Sequence, residues 1–266
     1  PACVGATNLQ HRIVMAFLTR LRADRGHIHG ELSKKYYAQR SSVPGTFIIS
    51  LAPCPLRSGT CEPGIWSDAQ VARKRFIFPH ITNAVHASGS YVFLQLWVGC
   101  TADPAVLRGS LISPISLGNG KLHSGDGEPI VPRELAVVEI EEHVQLFSKA
   151  ANNAIEAGFD GMEVHVVNGH LHDQFLQTVS NERMDECEGS IDNCVHFPLE
   201  VNNAVVETAG AERMAVRISP LFKFQNTHFV DPLPSFATFI GRVRDAHPNF
   251  AYTHVVESRA NDITIG

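Results

Sequence analysis

The chain is predicted to be an α/β protein, a parallel sheet covered by helices in the manner of a barrel. Short, continuously apolar runs rich in β-branched residues alternate with amphipathic stretches along all 266 residues, and one α/β barrel needs about 250 residues. Strands that read as unbroken apolar runs are buried on both faces, which is the mark of a parallel sheet between helices.

The elements follow in order. Residues 13–17 read as a first strand and Glu31–Arg40 (ELSKKYYAQR) as a helix. Residues 46–50 (TFIIS) form a second strand, and 67–88 a helix opening on Ser67 and Asp68, residue types that suit a helix start. Pro79 stands inside that helix, and an interior proline removes a hydrogen bond, so a break is expected near Phe78. Residues 91–96 (YVFLQL) are the third strand, 141–157 a helix, 161–165 the fourth strand and 197–209 a helix. Met214–Ile218 is the fifth strand, 235–246 a helix and 251–256 (AYTHVV) the sixth strand. Long Gly/Pro-rich connections at 53–64 and 104–132 fall on the side where loops shape a binding site. The organisation is that of a single domain over residues 1–266.

Composition narrows the function. Hydrophobic residues make up 44% and charged residues 18%, so the chain folds around a core. A net charge of −5 argues against a nucleic-acid or anionic-membrane partner. No apolar run reaches the ~20 residues of a membrane span. The opening PACVGATNLQHR shows no basic region followed by an apolar run, so the expected location is cytoplasmic. Six cysteines are scattered without a CxxC pair, which favours free thiols over disulfides or zinc.

The chemistry concentrates in residues 158–193, GFDGMEVHVVNGHLHDQFLQTVSNERMDECEGSIDN. His165, Asn168, His170 and His172 follow one strand within eight residues, at the C-terminal end where barrels carry their sites. His165 and Asn168 can both donate to one carbonyl oxygen and stabilise the charge it gains. His170, with an ordinary pKa of ~6.5, would take and give a proton near neutrality. His165, His170 and His172 lack a cysteine or acidic ligand at a recognised spacing, so no metal is assigned. Cys187 has no base paired with it in the sequence. Arg217, on an apolar strand, needs an anionic or carbonyl partner. Trp97, Phe17 and Phe47 read as core or pocket wall, and His86, His143, His196, His228, His247 and His254 as surface or packing residues.

These residues carry a resemblance. Over residues 8–259, through HRIVMAFLTRLRA, YYAQRSSVPGTFIIS, GIWSDAQV, FLQLW, the block from Gly158 and AVRISP, the chain resembles the old yellow enzyme family, most of all its fungal members. That family consists of FMN- and NADPH-dependent ene reductases on a TIM (β/α)8-type barrel, of which these residues supply about six βα units. The resemblance implies flavin contacts at Thr19, Ala52, Gln95 and Arg217. It implies that His165 and Asn168 hold the carbonyl oxygen of an enone substrate.

The departures shape the expected function. His170 stands where the family has a proton-donating tyrosine, Phe17 where it has a proline, Leu51 where it has a glutamate, and DECEGS where it has DEYGGS. The family's phosphate seat, after strands 7 and 8, has no counterpart in these residues. Three charge-assisted hydrogen bonds at ~1.5–3 kcal/mol each correspond to about a thousandfold or more in affinity. The expectation is therefore no cofactor: a flavin-independent isomerase that moves a double bond conjugated to a carbonyl in a fungal secondary metabolite, with His165 and Asn168 binding oxygen and His170 relaying the proton. The alternatives are an ordinary FMN-dependent, NADPH-consuming ene reductase and a non-catalytic descendant of one. Six strands also leave two sheet edges, and the expectation is that a second copy of the chain or a swapped segment covers them, or that further residues follow Gly266.

Overall fold

The computed structural model describes residues 1–18, 29–53, 78–98, 112–113, 133–178, 180–181, 183–187, 189–221 and 231–257. The chain opens on an antiparallel hairpin, β1 (Ala2–Val4) and β2 (Thr7–Leu9), which turns at Gly5. Gly5 has φ +53°, and a side chain there would strike the Glu212 carbonyl, so only glycine fits this turn. Next come β3 (Val14–Met15), α1 (Glu31–Arg40), β4 (Phe47–Pro53), α2 (Phe78–His86), β5 (Tyr91–Trp97), β6 (Ile112–Ser113) and β7 (Arg133–Glu134). The remainder is α3 (Val137–Glu156), β8 (Gly161–Val166), α4 (Leu171–Leu176), α5 (Ile191–Ala209), a 3-10 turn Ala211–Arg213, β9 (Met214–Ile218), α6 (Leu233–Ala246) and β10 (Tyr252–Val255).

Six strands pair in the order β3-β4-β5-β8-β9-β10, and every pair is parallel. This is the predicted strand set, laid side by side in chain order as a barrel wall requires. β6 and β7 form a separate two-residue parallel pair.

The alternation of side chains along each strand divides the sheet into two faces. One face carries Ile48, Val92, Leu94, Leu96, Met162, Val164, Val166, Met214 and Val216, packed in one core with Phe147 of α3, Phe197 of α5 and Phe239 of α6. The other face changes character along the strands. At their N-terminal ends it is apolar, with Phe47, Ile49, Phe93 and Ala215 packed against Leu9 and Val4 of the hairpin. Toward the C-terminal ends it carries Gln95, Glu163, His165, Arg217 and His254. Gly161 is required at the change of layer, because a Cβ there would lie 2.5 Å from both the Arg213 carbonyl oxygen and the Phe93 ring. The hairpin thus plugs one end of the half-barrel and leaves the polar end for chemistry.

Most predicted boundaries shift by a few residues. The described part of α2 runs Phe78–His86 and includes Pro79, which brings no backbone N–H. The part of that predicted helix at 67–77 lies outside the described residues. The helix placed at 197–209 begins six residues earlier, at Ile191, because Ser190 caps it by accepting a hydrogen bond from the Asn193 N–H. Pro198 therefore stands inside a helix, and Asn202 Nδ2 donates to its carbonyl. α3 begins at Val137, where Glu139 accepts from the Ala136 N–H at 2.8 Å. The hairpin and the six-residue α4 are not foreseen by the sequence pattern.

Candidate active site

β8, GMEVHV, is buried at every residue, so its two polar side chains, Glu163 and His165, must find partners inside the protein. They share one face. Gln95 pairs in register with Glu163 across β5 and β8, and His165 with Arg217 across β8 and β9. His254 on β10 pairs in turn with Arg217. A continuous chain of hydrogen bonds results. His165 Nδ1 lies 2.9 Å from Gln95 Oε1, Gln95 Nε2 donates to Glu163 Oε1 at 2.5 Å, and His254 Nδ1 donates to Glu163 Oε2 at 3.0 Å.

Beyond β8 the backbone turns sharply. Asn168 has φ 59° and Gly169 φ 70°, two successive left-handed residues of the kind Asn and Gly tolerate best. The Asn168 N–H donates to Ser219 Oγ at the end of β9. The Gly169 N–H donates to Asp173 Oδ2, and Gln174 Nε2 donates to the Gly169 carbonyl. The turn is therefore tied from both sides, and it brings His170 back beside His165, with ring centroids 4.9 Å apart. Trp97 closes the cluster at 4.7 Å from His170 and 5.8 Å from His165. Phe17 meets the His165 ring edge-on at 5.8 Å, and the Arg217 guanidinium stacks 4.6 Å from the centre of Phe17.

The electrostatics follow from burial. Burial, then the neighbouring His170 and Arg217, hold His165 well below its ordinary value of 6.5. Burial and then Arg217 bring His170 down to about 4. His172 falls to about 3 through burial, although its Nδ1 donates to the His165 carbonyl. All three rings are neutral at neutral pH. Burial also raises Asp173 to about 7.

Several buried polar atoms here have no hydrogen-bond partner among the described residues: His165 Nε2, Asn168 Oδ1, His170 Nδ1, Trp97 Nε1, and Arg217 Nε and Nη1. Native interiors rarely leave such groups bare, and a cluster of them near one strand end fits a bound polar molecule.

The sequence-derived residues divide accordingly. The structure brings His165, Asn168, His170, Gln95 and Arg217 together. Ala52 stands on β4, paired with Leu96 of β5. Thr19 lies outside the described residues. His170, held at about 4, does not have the near-neutral pKa its sequence position was expected to give it. His172 packs flat on Phe197 and serves the core. Cys187, pushed up to about 11 chiefly by burial, is a thiol and not a nucleophile. Among the described residues no three His, Cys, Asp or Glu side chains are arranged to hold a metal ion, and no helix is long and apolar enough to cross a membrane. Sequence reasoning missed Glu163 and Ser219, and it read His254 as surface or packing. An acid on a wholly apolar strand was the available signal for Glu163.

Residues 1–264 match the NADH:flavin oxidoreductase / NADH oxidase family. The chain belongs to this family, that of the old yellow enzymes. It is 42% identical to Chanoclavine-I aldehyde reductase fgaOx3 of Penicillium roqueforti, over 97% of this chain and 69% of that one. It is 38% identical to Probable inactive reductase easA of Epichloe festucae var. lolii, over 97% of this chain and 67% of that one. Among solved structures, the old yellow enzyme homologue of Zymomonas mobilis superposes with a TM-score of 0.85 at 36% identity, covering 96% of this chain and 72% of that one.

The membership corrects the expectation of a protein without a cofactor, because the family points to FMN. That expectation leaned on a phosphate seat missing from these residues. The matched part is 69% and 67% of these two relatives' length, so the missing seat carries no weight against a flavin. The side chains present fit the group. Arg217 offers two unpartnered buried nitrogens to the electron-rich edge of a planar ring. Gln95 has engaged one amide hydrogen and one lone pair, and keeps one of each.

Proposed function

We propose that this chain is the catalytic part of an FMN-dependent, NADPH-consuming reductase for an α,β-unsaturated carbonyl compound, a fungal secondary metabolite. The observation that supports it most is the buried, unpartnered set of His165, Asn168, His170 and Arg217 gathered at one strand end. Family membership and the names of relatives, an aldehyde reductase among them, support the substrate class.

When bound, FMN supplies the hydride. The protein's own groups supply the rest. Arg217 on β9, with Gln95 on β5, would hold the flavin. His165 and Asn168 bracket the substrate oxygen, so that the charge it gains is met by fixed dipoles and not by reorganising water. Trp97 and Phe17 wall the pocket against solvent, which strengthens each of those interactions. His170 lies beside His165 and reaches the substrate from the same side as the oxygen clamp.

A second reading, double-bond migration with the flavin in place, is favoured by one observation. His170 is neutral, and a neutral imidazole can take a proton from carbon, the step that migration needs and reduction does not. One experiment addresses both. The full chain is loaded with FMN and incubated with NADPH and a conjugated enal or enone, and the product mass is read. A gain of two hydrogens supports reduction. An unchanged mass with a moved double bond supports migration. No product in the presence of tightly bound FMN defeats both and leaves a non-catalytic protein.

A further inference from the structure

We propose that Ser219 is a positioning residue: its hydroxyl holds the Asn168 backbone and so sets the placement of the substrate-oxygen clamp relative to Arg217. Val167, Asn168, Gly169 and His170 form one tight turn, closed by the His170 N–H donating to the Val167 carbonyl at 3.1 Å. Both central residues have positive φ, 59° and 70°, the signature of a type I′ turn, for which Asn-Gly is the preferred pair. Among the described residues Asn168 is the one non-glycine with positive φ. Such a backbone costs free energy and persists only where its surroundings hold it.

Two side chains do the holding, each on one of the turn's central amides. Asp173 Oδ2 accepts from the Gly169 N–H at 2.7 Å, and Ser219 Oγ from the Asn168 N–H at 2.9 Å. Asp173 belongs to α4, which follows the turn directly, so its bond is local. Ser219 comes from another part of the sheet. It follows the last pair of the β8–β9 ladder, Val166 with Ile218, and its hydroxyl carries the pairing one bond further, into the turn. Ser219 is buried, so an Asn168 N–H deprived of it has no bulk water at hand. Arg217 stands two residues earlier, on β9. The hydroxyl therefore ties Asn168, which brackets the substrate oxygen, to the strand whose Arg217 would hold the flavin. A shift of Asn168 changes how the substrate meets the cofactor, and small misplacements of reacting groups cost rate.

This rests on the reading of Asn168 as part of the clamp, so the test includes one readout that needs no turnover. In the full chain labelled with 15N-asparagine, hydrogen exchange of the Asn168 amide is followed by NMR, with the signal assigned by its disappearance in Asn168→Gly. Slow exchange is expected in the wild type and in Ser219→Thr, which keeps a hydroxyl, and faster exchange in Ser219→Ala. Ser219→Cys, close in size and a weak acceptor, replaces the alanine variant if that does not fold. With FMN, NADPH and an enone, Ser219→Ala is expected to lose roughly 10- to 100-fold in kcat while FMN affinity stays within about twofold, and Ser219→Thr to recover most of the loss. In Asn168→Gly, which removes the amide where glycine suits the backbone, adding Ser219→Ala is expected to cost nothing further. Equal exchange in the wild type and Ser219→Ala, an unchanged kcat in Ser219→Ala, or the full loss repeated on the Asn168→Gly background would overturn the proposal. A wild type without turnover, or an Asn168→Gly variant as fast as the wild type, defeats the clamp reading instead, and the exchange rates then decide alone whether Ser219 holds the turn.

Discussion

The rings of His165 and His170 lie 4.9 Å apart, centre to centre, and desolvation of both keeps them uncharged at neutral pH. Two adjacent imidazolium ions would repel each other and Arg217 in a medium of low dielectric. Neutrality is thus a condition of the fold itself, and it has consequences for stability.

Stability is expected to fall on mild acidification. In the unfolded chain each of these histidines takes a proton as pH drops through about 6.5. In the folded protein His170 does not until about 4, nor His172 until about 3. The unfolded state therefore binds more protons between those limits, and the folded state loses ground as pH falls through that window. Asp173 works the other way, since its folded value of about 7 against 3.8 gives the folded state the extra proton. Three histidines against one acid leave a net loss. Thermal midpoints at about pH 7.5 and about pH 5 should show the lower value at the acid end. In His172→Phe, whose ring stays stacked on Phe197, the slope should flatten.

His165→Ala is expected to lower kcat by roughly 100- to 1,000-fold, the usual loss when one group facing a developing oxyanion is removed. Steady-state kinetics of the FMN-loaded protein on an enone would read it. A change confined to KM would assign His165 to binding alone.

Arg217→Met is expected to weaken FMN binding by about 10- to 100-fold, the equivalent of one charge-assisted hydrogen bond of ~1.5–3 kcal/mol. Quenching of flavin fluorescence on titration measures it. Unchanged affinity would detach Arg217 from the cofactor and leave its two bare nitrogens to the substrate.

Gly161→Ala is expected to destabilise the fold by about 1–3 kcal/mol, because the added methyl meets a carbonyl oxygen and the Phe93 ring at 2.5 Å. Urea denaturation would show a lower midpoint with little change in slope.

The sheet is legible in the sequence because its strands, such as YVFLQL and MAVRI, are unbroken apolar runs. His165 and Asn168 are legible because they follow such a run and match a family pattern. Local pattern fails in three places. The cap that starts α5 is a single serine, seven residues ahead of the stretch that reads as helical. The partnership of Glu163 with Gln95 and His254 joins residues 68 and 91 positions apart, which only strand order reveals. The depressed pKa of His170 comes from burial against Trp97 and from Arg217, neither of which is near it in sequence. The absent phosphate seat misleads for a different reason: this chain covers only 69% of the Penicillium roqueforti relative's length, so its residues alone do not test for the seat.

The central reading is that the buried clamp at the end of β8 works on an enone beside a flavin. It is tested most directly by titrating FMN into the full chain and then following NADPH oxidation on adding the enone, for the wild type and for His165→Ala with Asn168→Ala. Saturable FMN binding in both, with enone-dependent NADPH oxidation in the wild type alone, is the expected result. Wild-type protein that binds no FMN, or a double variant that turns over as fast as the wild type, would contradict it.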